Sequence, residues 1–139
     1  MNQVIKSESA LLAMSENSYM NDQQLSYFKS ILENERRTLV QSLSFSAGIL
    51  DEGIAVADPL DRATAEEERQ ASHRNRSVDQ RKLEEVSLAL QRIERKEFGY
   101  CVRTGDCIGL ERLLARPTAT MTVEEQERYE KHMHMSRTI

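Results

Sequence analysis

Ala55-Val56-Ala57-Asp58-Pro59-Leu60-Asp61-Arg62-Ala63 separates two long segments that both read as helix. A turn at this stretch folds those segments into an αα-hairpin and becomes its far end. Asp58 ahead of Pro59 is a helix-start signal, because an Asp side chain accepts from free amide groups and proline suits the first helical position. Asp61 falls within the first turn, where a carboxylate suits the positive helix end. The tip therefore carries two acids, Asp58 and Asp61, close to the small Ala63. Capping alone accounts for both carboxylates as far as helix physics goes.

On the N-terminal side, Asn21 can cap a helix, Gln24 takes its third position, and Met20 with Leu25 fits a hydrophobic staple. Apolar pairs follow as Phe28 and Leu32, Leu39 and Leu43, Leu50 and Ile54. Members of a pair are four apart and successive pairs eleven apart, close to the natural helix repeat, so the stripe runs nearly straight along one face. From Asn21 to Glu52 such a helix is roughly 48 Å long at 1.5 Å per residue. On the C-terminal side a second helix is expected from Pro59 to Lys96. Thr64 to Gln80 offers only Ala65, Ala71 and Val78 as apolar residues, whereas Leu83, Val86, Leu90 and Ile93 have the spacing of a buried stripe. The expected hairpin packs well at its base and thinly toward its tip.

Composition fits this picture. The chain has 139 residues, 30% of them charged and 5% aromatic, with two prolines and five glycines, which suits long solvated helices better than a thick core. A net charge of −4 argues against general nucleic-acid binding, which rests on neutralising phosphates. The run Ala10 to Met14 is too short for a secretory core or a membrane span, and two cysteines make no disulfide scaffold. These features lead us to expect a cytoplasmic protein. Residues 1–20 form a polar N-terminal segment, 21–96 the hairpin with its tip at 53–63, and 97–139 a small globular region with a C-terminal helix.

In that last region Phe98-Gly99-Tyr100-Cys101 and Gly105-Asp106-Cys107 break the helix. Ile108 to Leu114 reads as a short strand or a helical turn, and a final helix is expected from Val123 to about Met133. Cys101 and Thr104 have the spacing of a Cys-x-x-Cys knuckle without its second cysteine, and Thr122 and Glu125 repeat that spacing. One thiolate among four positions falls short of a structural zinc site. A site from Cys101, Cys107 and His132 or His134 lacks anything to fix its geometry, and His132-Met133-His134-Met135 reads as a tail. Thr122 and Glu125 instead fit a capping box. We therefore expect no metal and no zinc, the region being held by capping and by Phe98, Tyr100, Leu110, Leu113, Leu114 and Met121. No nucleophile–base pair and no phosphate-cradling glycine loop is present in the sequence, so an enzyme is not expected.

Taken in order, the tip, Glu66-Glu67-Glu68, Arg74-Asn75-Arg76, Phe98-Gly99-Tyr100-Cys101, Ile108-Gly109 and Ala115-Arg116-Pro117-Thr118-Ala119 resemble the DksA/TraR family of RNA polymerase-binding transcription factors, over residues 20–125. The family places four zinc-binding cysteines where this chain has Cys101, Thr104, Thr122 and Glu125, so the chain is most similar to a zinc-independent member. The resemblance implies a mostly α fold: a long antiparallel coiled-coil hairpin plus a small globular domain with a degenerate zinc-finger region and a C-terminal helix. It implies that the hairpin enters the secondary channel of bacterial RNA polymerase, with Asp58, Asp61 and Ala63 acting near the active centre without doing chemistry. It further implies destabilised open complexes, repressed ribosomal RNA promoters and activated amino-acid biosynthesis promoters. These effects occur with guanosine tetraphosphate (ppGpp) in the stringent response. Arg116 matches one alarmone-contacting position and Lys82 is a candidate for another, while Glu85 and Gln126 stand where the family has Lys. The competing reading is a Gre-like or TraR-like factor of the same channel and the same shape; a coiled-coil adaptor that never meets polymerase is the alternative from another class. The implied protein is a monomer without sequence-specific DNA binding.

Overall fold

The computed structural model describes residues 4–51 and 59–137. The elements are α1 (Glu8–Leu12), a 3-10 turn (Glu16–Ser18), α2 (Asp22–Asp51), α3 (Pro59–Glu94), α4 (Leu110–Ala115) and α5 (Val123–Arg137). Among the described residues there is no strand, only one antiparallel bridge between Tyr100 and Cys107. The expected fold class holds: two long helices and a small base carrying a C-terminal helix. Ile108 to Leu114 resolves into the helical turn of α4. Residues 52–58, which include most of the expected turn, lie outside the described residues.

The chain divides into two compact units, Met1–Leu32 with Ala89–Ile139, and Glu33–Leu88. In the first, the start of α2 is built by side chains. Asn21 Oδ1 accepts from the Gln24 amide at 2.9 Å, and Gln24 Oε1 accepts from the Met20 amide at 3.0 Å. Met20 and Leu25 are both buried, as a hydrophobic staple requires, and Gln24 is fully buried with its polar atoms engaged. Phe28, Leu32, Leu90, Ile93, Phe98 and Leu113 make the core of this unit, with the Phe28 and Phe98 rings 5.4 Å apart. Each such side chain contributes about 1.5–3 kcal/mol by leaving water.

The N-terminal segment belongs to this core. Ser7 Oγ caps α1 by accepting from the Ala10 amide at 3.2 Å, Leu11 is fully buried, and α1 packs against α4. At the other end of the hairpin base, α3 stops where Lys96 takes a left-handed φ of 62° and the Glu97 and Phe98 amides both donate to Arg92 O. The Arg92 guanidinium then donates to the carbonyls of Glu97 and Tyr100, at 3.0 and 2.6 Å, and ties the following loop to the helix.

In the second unit only Leu39 and Val86 are buried among the described residues. Polar contacts supplement them: Ser42 Oγ donates to Asp79 at 2.9 Å, and Arg76 donates to Leu43 O at 2.9 Å and to Ser46 Oγ at 3.3 Å. The partners run in opposite order along α2 and α3, as an antiparallel pair demands. Val78, one of the few apolar residues in the polar half of α3, is exposed.

Candidate functional site

Pro59 opens α3, and Asp61 and Ala63 sit exposed in its first turn. Asp61 thus lies in the first turn, where the helix start favours negative charge. Asp58 lies outside the described residues, so the two-acid tip is represented here by Asp61 alone.

The region after α3 is a tight double-backed loop. Cys101 N donates to Asp106 O at 2.7 Å, Gly105 N to Cys101 O at 2.9 Å, and Ile108 N to Gly99 O at 2.8 Å. Val102 N donates to Thr120 O at 2.9 Å and joins this loop to the segment leading into α5. Cys101 is buried beneath it. Burial alone would push its thiol up. Hydrogen bonds from the Thr104 hydroxyl and from the amides of Arg103, Thr104 and Thr122 outweigh that and bring it down to about 7. Three of the four positions singled out in the sequence thus meet at one sulfur.

The fourth, Glu125, is linked through Thr122, whose Oγ1 accepts from the Glu125 amide at 3.2 Å. This is half of the expected capping box. The returning half is absent because the carboxylate is engaged elsewhere: Glu125 is buried and pairs with Arg103 at 3.1 Å and Arg128 at 3.2 Å. Arg103 also lies over the Tyr129 ring, 5.3 Å from its centre. A buried carboxylate without cationic partners would be costly, so the two arginines explain how Glu125 can sit there. Arg103 and Arg128 carried no signal in the sequence beyond their charge.

Tyr19 was missed as well. Its hydroxyl donates to Gly99 O at 2.6 Å and accepts from Gly109 N at 3.0 Å, and its ring meets Tyr100 edge-on at 5.7 Å. Burial raises its pKa above the ordinary value. Arg116 is the C-cap of α4 and is exposed. It belongs to the first unit, and Lys82, exposed on α3, to the second.

The comparisons place these features in a lineage. Residues 24–93 match the family model described as DnaK suppressor protein DksA, N-terminal domain, and residues 96–131 match the prokaryotic dksA/traR C4-type zinc finger. The RNA polymerase-binding transcription factor DksA of Caulobacter vibrioides is 41% identical over 120 residues, covering 86% of this chain and 84% of that protein. Its namesake in Escherichia coli K12 is 37% identical over 107 residues, 76% of this chain and 71% of that protein. Among solved structures, transcription factor DksA2 from Pseudomonas aeruginosa superposes with a TM-score of 0.81 at 36% identity, covering 92% of this chain and 99% of that one.

The zinc-finger match overturns one expectation from the sequence. Zinc was excluded on the donor set alone, yet residues 96–131 belong to a class described by a four-cysteine zinc site, so zinc binding by this region is back in view. The residues present do not make that four-thiolate set. Of Cys101, Thr104, Thr122 and Glu125 only the first is a thiol, and Glu125 is already paired with two arginines. Among the described residues no group of three or more His, Cys, Asp and Glu could hold a metal ion. The region therefore has the lineage of a zinc finger and only part of its ligands. Two family models that together run from residue 24 to 131, and relatives matched over most of their length, establish that this chain belongs to the DksA family.

Proposed function

We propose that this chain is a non-enzymatic transcription factor that binds bacterial RNA polymerase through its secondary channel. There it destabilises open promoter complexes, represses ribosomal RNA promoters and assists amino-acid biosynthesis promoters together with ppGpp. The observation that carries this reading is the 41% identity to a factor named for binding RNA polymerase, over 84% of that factor. The hairpin supports it physically. A paired set of long helices with a thin polar outer part can enter a passage that a globule cannot. Carboxylates at its end act electrostatically, and their influence grows in the low-dielectric surroundings of a protein interior. Asp58 and Asp61 are the acting charges, with Ala63 leaving room beside them. Arg116 and Lys82 supply cations for the alarmone, whose phosphates suit guanidinium and ammonium groups.

In vitro transcription from a ribosomal promoter tests this. Added protein is expected to lower the transcript, and ppGpp to deepen the effect. Asp58→Asn and Asp61→Asn are expected to keep polymerase binding in a pull-down while losing most of the promoter effect. Full repression by both variants would remove the tip from the mechanism; failure of the native chain to bind core polymerase would remove the reading itself.

A further inference from the structure

We propose that α1 and Tyr19 form a strap whose function is to position Arg116 for the polyphosphate ligand. This rests on the alarmone reading given above and adds the residues that make it work. α4 has only six residues, too few to hold a helix by its own hydrogen bonds. The N-terminal segment holds it from outside at two places. At its start, Gly109 is the N-cap, and the Gly109 amide donates to the Tyr19 hydroxyl at 3.0 Å. The same hydroxyl donates to Gly99 O at 2.6 Å, so one oxygen joins Gly99 and Gly109 across the α3–α4 loop. Along its side, α4 packs against α1, where Leu11 is fully buried.

Arg116 then follows directly. Its amide donates to Arg112 O at 2.7 Å, which makes it the last bonded residue of α4, and its carbonyl accepts from the Ala119 amide at 3.0 Å. The guanidinium is exposed and makes no ion pair among the described residues. A cation presented in this way binds a polyanion better when its backbone is already fixed, because less freedom is lost on binding. The strap fixes it.

Hydrogen exchange on the full chain and alarmone titration in the transcription assay test the strap together. Tyr19→Phe and Leu11→Ala are the variants, and Leu12→Ala, on the exposed side of α1, is the control. Loss of the Tyr19 hydroxyl is expected to speed amide exchange over 109–119 about tenfold. Both strap variants are expected to raise the ppGpp concentration for half effect about fivefold, with the alarmone-independent repression preserved. Combined with Arg116→Ala, either strap substitution is expected to add no further shift, which a general loss of stability would not reproduce. Unchanged exchange over 109–119, or a shift that persists in full on the Arg116→Ala background, overturns the proposal. If the native chain ignores ppGpp, the alarmone reading fails, and the exchange measurement still decides whether the strap holds α4. Tyr19→Phe keeps the buried ring, so it separates the latch from folding should Leu11→Ala unfold the base.

Discussion

At Gly99 the backbone has a φ of 91°, and a Cβ there would lie 2.6 Å from both Cγ and Sδ of Met20. Neither the conformation nor the space admits a side chain. Gly99→Ala is expected to cost about 1–3 kcal/mol, read as a lower midpoint in urea unfolding. The Tyr19 phenol beside it gives a pH signature. Burial is the main cause of its raised pKa, with Cys107 and Tyr100 adding to it and the Gly109 amide opposing it. The fold thus favours the protonated form. Its contribution is whole below the ordinary value of 10.0 and is lost as pH rises past it. Stability measured from pH 9 upward is expected to fall less steeply in Tyr19→Phe than in the native chain. Glu125 presents the opposite balance. Its carboxylate is 8% exposed, while its partners Arg103 and Arg128 are 51% and 75% exposed. Arg128→Ala is therefore expected to cost less than about 1 kcal/mol. Arg103→Ala also removes the stacking on Tyr129 and is expected to cost more, about 1–2 kcal/mol in the same unfolding experiment.

The two long helices could be read in advance because their information is periodic. Phe28 and Leu32, and Val86, Leu90 and Ile93, repeat at helical spacing, and all five are buried. The Asn21 and Thr122 caps could be read for a related reason, since a cap is a local pattern. What escaped was contact between residues far apart in sequence. Tyr19 stands alone in a polar segment, and its partners are 80 and 90 residues away. Arg76 lies in the polar stretch Thr64 to Gln80, yet its guanidinium reaches a mid-helix carbonyl on α2. Glu125 had the right spacing for a reciprocal cap, but two arginines compete for its carboxylate. With only Leu39 and Val86 buried among the described residues of its unit, Arg76 has a large share of the pairing between α2 and α3 there. Arg76→Ala is expected to lower the stability of residues 33–48 and 60–88 by about 1–2 kcal/mol. Hydrogen exchange resolved by segment would show this, with protection over 98–120 unchanged.

Across the full chain, the family models, the relatives and the mostly helical fold agree on a member of the DksA family. The sequence blocks that suggested this are spread from Asp58 to Ala119, and it is their order that is specific. The zinc question shows the limit of that approach. Reading donors position by position pointed away from metal, whereas residues 96–131 as a whole match a zinc-finger class. The two thiols of that loop differ in another way: Cys101 is buried and Cys107 is exposed. Cys101 has a thiol pKa of about 7, so chemistry alone would make it the faster nucleophile toward an alkylating reagent. Access reverses the order, and a bulky maleimide should modify Cys107 first. The chain thus comes with its own single attachment point on the base, and a photoreactive group placed there would report which surface of a bound assembly lies alongside.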